Sequence, residues 1–211
     1  MPSRFLQPLI EQQGLSWEVF LHSAKGYEQP KGSPELRRAI AIWYQQHYGL
    51  TLDPEREIMI THGGVAAINL VIQCTKQEHQ GVIISHPSYM LYERAVTALN
   101  RPLGESEYHS ALGAAWQDTA LQQAGVMIIN SPENPSGYML NAQDWDAVAE
   151  FTQQHGIWLI HDEVYDVMAY TERHQPAMKQ PKMRENTIMI NSFSKKFGLP
   201  GLRIGWRVAA E

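Results

Sequence analysis

Short apolar runs alternate with longer amphipathic stretches along most of this 211-residue chain. Six of these runs are nearly all apolar, which is typical of strands that are buried on both faces of a parallel sheet. The stretches between them have helical periodicity, as in successive βα units. The pattern therefore predicts an α/β fold in three layers, with a mainly parallel sheet between two layers of helices. The expected strands are residues 57–61, 81–85, 126–130, 157–161, 187–191 and 204–208.

Two of the expected helices carry clear start and stop signals. Ser33 followed by Pro34 is a typical N-terminal cap, and Gly49 ends that segment. A second helix is expected from Asn141 to about residue 155, with Gly156 placed to end it. In the first helix, Leu36, Ile40, Trp43 and His47 recur at helical spacing. The inward face of the second is predicted to carry Trp145, Val148, Ala149 and Thr152. Further helices are expected at residues 65–76, 89–100 and 114–123.

Composition places few limits on function beyond excluding some partners. A formal net charge of -5, with 18% charged residues, gives no reason to expect nucleic acid or an anionic membrane as partner. The single cysteine, Cys74, lies in an apolar stretch, and we interpret it as a core residue in a reducing compartment. Neither a signal peptide nor an apolar span long enough for a membrane helix is recognisable, so a cytoplasmic location is expected.

The segment at residues 192–205, SFSKKFGLPGLRIG, combines groups that can hold an aldehyde cofactor with a phosphate tail. A lysine amine such as Lys195 forms a Schiff base with the carbonyl of pyridoxal phosphate. Arg203, Ser192 and Ser194 offer the guanidinium and hydroxyl donors that a phosphate prefers. The alternative is a lysine pair on a solvated loop, with Arg203 in an ordinary surface ion pair.

This segment resembles the lysine signature of the class I and II aminotransferases, which are fold-type I pyridoxal-phosphate enzymes. The resemblance implies that Lys195 carries pyridoxal 5'-phosphate, and it extends from about residue 26 to the C-terminus. It implies a division into an N-terminal segment, residues 1–25, and a cofactor-binding large domain, residues 26–211. The family normally continues into a small C-terminal domain, and this sequence stops at Glu211, so we expect that domain to be missing.

The turn after the first expected strand, HGGV at residues 62–65, is the next candidate for the site. A glycine turn that opens a helix exposes backbone amides where phosphate is favoured. The family uses this turn as a phosphate cup, which implies that Gly64 and Val65 donate through their amides. Many relatives have a hydroxyl where this chain has Val65, so one side-chain contact is expected to be lost. A plain βα turn is the alternative.

The next two strands also lead into family-like segments. HPSYMLY, residues 86–92, is similar to the family segment whose aromatic residue, here Tyr89, lies flat against the pyridine ring; a core anchor is the alternative. NSPENPSG, residues 130–137, is similar to a second family signature, although such a run is often only a turn. It implies that Asn134 donates to the 3'-oxygen of the cofactor, and the bond to the following proline is a candidate for the cis form.

The fourth of these strands ends in HDEVY, residues 161–165. A buried carboxylate stabilises a protonated pyridine nitrogen, and Asp162 matches the family residue with that role. Tyr165 matches the phenol that hydrogen-bonds the 3'-oxygen. The alternatives are that Asp162 and Glu163 are solvated, or that His161 binds a metal. No metal-binding spacing supports the latter, and no metal is expected.

Tyr27 resembles the family tyrosine that crosses a dimer interface to the phosphate of the neighbouring subunit, which implies a homodimer. The alternative is that it packs against the following helix. Together these residues imply an aminotransferase that moves an amino group between an amino acid and a 2-oxo acid, or the cofactor domain of one. A pyridoxal-phosphate lyase or decarboxylase and a truncated, inactive protein of the same fold remain alternatives. Because the cap over the cofactor domain is expected to be missing, apolar surface should be left uncovered.

Overall fold

The computed structural model describes residues 3–23, 26–75, 80–107 and 124–210. Its centre is a seven-stranded sheet with the order β1-β7-β6-β5-β4-β2-β3. The strands are β1 Ile58–Thr61, β2 Gly81–His86, β3 Leu103–Glu107, β4 Ala124–Asn130, β5 Trp158–Asp162, β6 Thr187–Ser192 and β7 Gly205–Ala209. Neighbouring strands from β3 to β6 are parallel, whereas β7 runs antiparallel to both β1 and β6. The six expected strands are present, within one or two residues of the expected bounds.

The helices lie on both faces of the sheet. They are α1 Ser3–Gln12, α2 Trp17–Ser23, α3 Pro34–Tyr48, α4 Gly64–Cys74, α5 Leu91–Ala98, α6 Ala142–His155 and the single turn α7 Phe193–Lys196. Short 3-10 turns occur at Asp166–Met168, Ala177–Lys179, Arg184–Asn186 and Pro200–Leu202.

Alternating side chains of the buried strands separate the core into two faces. Ile128 and Ile160 pack with α4 and α5 on one face of the sheet. Met127 and Leu159 pack with α6 on the other face. A third cluster joins α3 to β1, β6 and β7. The expected three-layer α/β architecture is therefore confirmed, and it places the carboxyl ends of five parallel strands along one edge of the sheet.

The helix signals in the sequence are confirmed in detail. The Ser33 hydroxyl accepts a hydrogen bond from the amide of Leu36 at 3.3 Å, and Gly49 ends α3 in the left-handed conformation. Asn141 and Asp144 form a capping box at the start of α6, and all four predicted inward residues of that helix are buried.

Two features of the packing differ from what the sequence indicated. The fully buried residues of α3 are Arg37, Ile40, Tyr44 and Tyr48. Leu36 and Trp43 are partly buried and pack against the third cluster, and His47 is also partly buried. Cys74, which was expected in the core, is exposed in the last turn of α4.

Strand β3 was not expected. It pairs only with β2 at the edge of the sheet, so it needs no continuous apolar run. The helix expected at residues 114–123 lies outside the described residues.

In the part of the chain that the structure describes, no helix is long and apolar enough to cross a membrane. α1 and α2 pack against each other. The division into residues 1–25 and 26–211 stays a prediction.

Candidate active site

A cavity of about 180 Å³ lies at the edge of the sheet where the parallel strands end. Residues that follow β1, β2, β5 and β6 line it, as expected for ligand sites in open α/β sheets. Nine residues singled out from the sequence line this one cavity: Gly64, Val65, Tyr89, Asp162, Tyr165, Ser192, Ser194, Lys195 and Arg203.

Asp162, the last residue of β5, supplies a buried carboxylate to this cavity. Its Oδ2 accepts a hydrogen bond from the Tyr92 hydroxyl at 2.7 Å, and its Oδ1 accepts one from the Val164 amide at 3.2 Å. Burial raises the pKa of the Asp162 carboxyl from 3.8 to about 6, although both hydrogen bonds act to lower it. The group is therefore mostly ionised at pH 7 and can hold a cation inside the cavity. Solvated positions for Asp162 and Glu163 are ruled out, since both are buried.

Two asparagines connect Asp162 to Tyr165. Asn134 donates from Nδ2 to the Tyr165 hydroxyl at 3.2 Å. Asn130 accepts from the Asn134 amide at 2.7 Å and donates to the backbone carbonyl of Asp162 at 2.8 Å. Asn134 is therefore fixed beside the Tyr165 phenol, just outside the residues that line the cavity. The bond between Asn134 and Pro135 is cis, as are the bonds that precede Pro87 and Pro132.

The two adjacent lysines of α7 occupy different environments. Lys195 is exposed and lines the cavity, and its Nζ lies 5.6 Å from the centroid of the Tyr165 ring. The Lys196 side chain is buried instead in an ion pair with Asp166. Only the Lys195 amine is therefore available to a molecule in the cavity.

Positive charge and backbone donors meet at the other end of the site. Helix α4 begins at Gly64, and the preceding Gly63 has a φ of 79° with no side-chain cap. A Cβ added to Gly63 would lie 2.5 Å from Nη2 of Arg203, so the guanidinium packs directly on this turn. A Cβ on Gly205 would lie 2.5 Å from the carbonyl carbon of Gly63, so β7 also approaches the turn closely. This is a cradle for an anion, made by a helix N-terminus and an arginine.

The residues present fit pyridoxal 5'-phosphate. An amine is available for its aldehyde, a buried carboxylate for its ring nitrogen, and the anion cradle for its phosphate. Tyr89 adds an aromatic wall, and its ring stands at 84° to that of Tyr92. Val65 contributes an aliphatic side chain, as the sequence indicated.

Sequence reasoning missed Tyr92 and Asn130 as site residues. Tyr92 is three positions after Tyr89 and so near the same side of the chain as it enters α5, which was a usable signal. Asn130 lies opposite Asp162 in the register of β4 and β5, which no sequence pattern reveals. Val164 and Pro200 also line the cavity.

Tyr27 is a predicted site residue that the structure does not bring together with the others. It is fully exposed and does not line the cavity of its own chain.

Beside the cavity, the buried side chains of His161, Glu163 and His174 have potential ligand atoms within 4.8 Å of one another. Both ring nitrogens of His161 are engaged, one with the carbonyl of Ser131 at 3.1 Å and the other with the amide of Ala177 at 3.2 Å. Burial lowers the pKa of His161 to about 4, so its ring is neutral. His174 bonds Glu163 at 2.9 Å. These contacts describe a hydrogen-bonded cluster, and the absence of a metal site stays a prediction.

Comparisons with known proteins agree with this geometry. The family model for aminotransferase class I and II matches residues 20–211. The chain is 30% identical over 187 residues to arginine–pyruvate transaminase AruH of Pseudomonas aeruginosa, covering 86% of this chain and 47% of that protein. It is 34% identical over 187 residues to the probable N-succinyldiaminopimelate aminotransferase DapC of Mycobacterium tuberculosis, covering 85% and 47%.

Solved structures give the same result. Substrate-bound BacF from Bacillus subtilis superposes with a TM-score of 0.83 at 28% identity, covering 90% of this chain and 49% of that one. N-succinyldiaminopimelate aminotransferase from Mycobacterium tuberculosis superposes with a TM-score of 0.82 at 30% identity, covering 92% and 52%. The chain thus spans about half the length of the relatives that it matches.

Proposed function

The chain belongs to the class I and II aminotransferases, a family that depends on pyridoxal 5'-phosphate, and we propose that its site transfers an amino group between an amino acid and a 2-oxo acid. The observation that carries this proposal is the single cavity lined by both the Lys195 amine and the buried Asp162 carboxylate. The amine can join the aldehyde of the cofactor, and the carboxylate can pair with the nitrogen of its ring.

We assign the binding roles from the donors at each end of the cavity. The amides of Gly64 and Val65, the Arg203 guanidinium and the hydroxyls of Ser192 and Ser194 hold the phosphate. Arginine and helix N-terminal amides are strong partners for a phosphate because they combine charge with directed hydrogen bonds.

The ring of the cofactor is held by a second set of residues. Asp162 pairs with the ring nitrogen, Tyr89 packs against the ring face, and Asn134 and Tyr165 bond the 3'-oxygen. The hydrogen bond from Asn134 to the Tyr165 hydroxyl supports a shared role at that oxygen.

When bound, pyridoxal phosphate supplies an aldehyde that joins to amines and a ring that accepts negative charge. Asp162 keeps the ring nitrogen protonated, which strengthens that acceptance. Lys195 would hold the cofactor through its aldehyde. Its Nζ, when free, would be the base that accepts the proton from the α-carbon of the substrate.

The proposal extends to a homodimer in which Tyr27 of the partner subunit reaches the phosphate. Full exposure of Tyr27 is consistent with a role outside its own chain. A cytoplasmic location stays a prediction, which cell fractionation would test.

Borohydride trapping tests the proposal directly. The chain is incubated with pyridoxal 5'-phosphate, reduced and digested, and mass spectrometry should find the adduct on Lys195. Lys195→Ala should lose this adduct, whereas Lys179→Ala, a change at an exposed lysine away from the cavity, should keep it.

Product analysis then identifies the reaction. A 2-oxo acid formed together with pyridoxamine phosphate supports amino-group transfer. Release of ammonia or carbon dioxide would instead indicate a lyase or a decarboxylase, and an adduct with no turnover would indicate a cofactor-binding domain only.

A further inference from the structure

A buried ion pair lies one residue along the chain from each of two proposed catalytic residues. Lys196 follows Lys195, and Asp166 follows Tyr165. The Nζ of Lys196 lies 2.5 Å from Oδ2 of Asp166, and the two side chains are 1% and 0% exposed. The pair therefore joins the turn that carries Lys195 to the turn that carries Tyr165.

Aromatic residues and hydrogen bonds surround this pair. The Tyr48 hydroxyl donates to the same Asp166 oxygen at 2.7 Å, and the Val167 amide donates to the other oxygen at 2.9 Å. The Lys196 ammonium lies 4.5 Å from the centroid of the Trp43 ring. Because the pair is buried and its groups have further partners, water screens it little and the geometry is well defined.

The two turns that it joins are short. Helix α7 is four residues long, and the 3-10 turn Asp166–Met168 is three residues long. Lys195 is exposed and Tyr165 is only partly buried, so burial of their own side chains does not fix either one. Their neighbours in the ion pair, Lys196 and Asp166, have side chains that are almost completely buried.

We propose that Lys196 and Asp166 are positioning residues that set the separation between the Lys195 amine and the Tyr165 phenol. The proposal rests on the proposed function, because it assigns a purpose to that separation. The same contact holds the Lys196 amine away from the cavity, so of the two adjacent lysines only Lys195 lines the cavity. Placement of a reacting amine matters because small errors in position slow the reaction strongly.

The test compares variants of the pair with a matched control. Lys196→Met removes the charge and keeps an unbranched apolar side chain, and Lys196→Arg keeps the charge. Arg184→Met breaks a different ion pair, with Glu57 at 2.6 Å, between residues that do not line the cavity. The measured quantities are the rate constant for the borohydride-trapped adduct at Lys195, kcat, KM and the melting temperature.

We expect Lys196→Met to slow formation of the Lys195 adduct by about tenfold and to lower kcat more than it changes KM. Lys196→Arg should leave the adduct rate and kcat within about threefold of the wild-type values, because the arginine can form the same ion pair. Arg184→Met should lower the melting temperature without changing the adduct rate. A role in stability alone would make Lys196→Met and Arg184→Met behave alike, which would overturn the proposal.

Other outcomes separate this inference from the proposed function. If wild-type protein forms no adduct at Lys195, the proposed function fails. If wild type and Lys196→Met form it at equal rates, only the positioning role fails. Should Lys196→Met not fold, Asp166→Asn provides the same test, because its amide keeps the shape and loses the charge. Asp166→Asn should slow the adduct about threefold or more, and an unchanged rate would overturn the proposal.

Discussion

Asp162 shows how single residues adjust the chemistry of the site. A carboxylate in a buried position tends to become neutral, because burial disfavours the charged form. The hydrogen bonds from Tyr92 and Val164 oppose this tendency, and the pKa of Asp162 settles at about 6. The residue is therefore ionised at neutral pH while remaining shielded from water. Its place at the end of a buried strand made it predictable, whereas the donor role of Tyr92 depends on how α5 packs beside β5.

The raised pKa of Asp162 predicts a specific dependence of stability on pH. The folded protein binds a proton at this group more readily than the unfolded chain, whose carboxyl has the ordinary value of 3.8. The stabilising contribution is therefore full below about pH 4 and is lost as the pH rises through about 6. A shift of this size corresponds to about 3 kcal/mol, at 1.36 kcal/mol per pKa unit.

Urea unfolding of the cofactor-free protein between pH 4 and pH 7 measures this effect. Subtracting the values for Asp162→Asn, which cannot titrate, removes the contribution of the other carboxyl groups. The difference between wild type and variant should fall by about 2.4 kcal/mol between pH 4 and pH 7, because the unfolded carboxyl is already partly ionised at pH 4. Tyr92→Phe removes a donor that lowers the pKa, so the window should extend to higher pH. A difference that is flat with pH would show that Asp162 is not perturbed.

At the scale of helices and strands, signals that are local in the chain predicted well. Caps at Ser33 and Asn141 fixed the starts of α3 and α6, because a side chain that bonds the first amides acts within three residues. Features that depend on distant contacts were missed. The antiparallel direction of β7 and the edge strand β3 are set by pairing with strands elsewhere in the sequence.

The burial of Arg37 in α3, which the sequence pattern did not indicate, has the same origin. Arg37 is buried because its guanidinium donates to the carbonyls of Gly32 and Pro54 and pairs with Glu55 at 2.9 Å. A hydrophobic pattern cannot anticipate a buried arginine whose partners lie in the loops before and after its helix. The buried side of α3 is therefore rotated from the apolar stripe that the sequence indicated.

The junction of β7 with the turn before α4 predicts a paired effect on stability and binding. In Gly205→Ala the new Cβ would lie 2.5 Å from the carbonyl carbon of Gly63, so β7 or the turn must move. We expect a loss of about 1–3 kcal/mol in the free energy of unfolding. Because Arg203 packs on the same turn, the Kd for pyridoxal 5'-phosphate should also rise, by about tenfold.

Asn141→Ala is the matched control for this change. It removes the capping box of α6, far along the chain from the phosphate cradle, and should cost about 1 kcal/mol. Chemical denaturation and calorimetric titration of the cofactor measure the two quantities. Equal cofactor affinity in Gly205→Ala and wild type would contradict the proposed role of this junction.

At the scale of the whole molecule, apolar side chains are exposed on the segments around the cavity. They follow Tyr89, Tyr165 and Lys195 in the chain and include Met90, Val167, Met168, Phe197, Leu199 and Leu202. Exposed apolar surface of this kind favours association with another surface. With the full exposure of Tyr27, it supports the proposed homodimer and gives a reason to test it in solution.

Mixed dimers give the sharpest test of whether Tyr27 acts on the neighbouring subunit. Tyr27→Ala and Lys195→Ala each damage a different part of the proposed site. In a mixed dimer, the Tyr27→Ala subunit keeps Lys195 and receives Tyr27 of the partner subunit, which restores one complete site. Random re-association of equal amounts makes about half of the dimers mixed, so about a quarter of all sites should be complete.

Sedimentation velocity would first establish that the chain is a dimer. Cofactor titration of the mixture, compared with each variant alone, should then reveal a class of sites with wild-type affinity that is about a quarter of the total. If Tyr27 acts within its own chain, no subunit in the mixture carries both intact residues and no such class appears. A monomer in sedimentation would also refute the assignment, because Tyr27 does not line the cavity of its own chain.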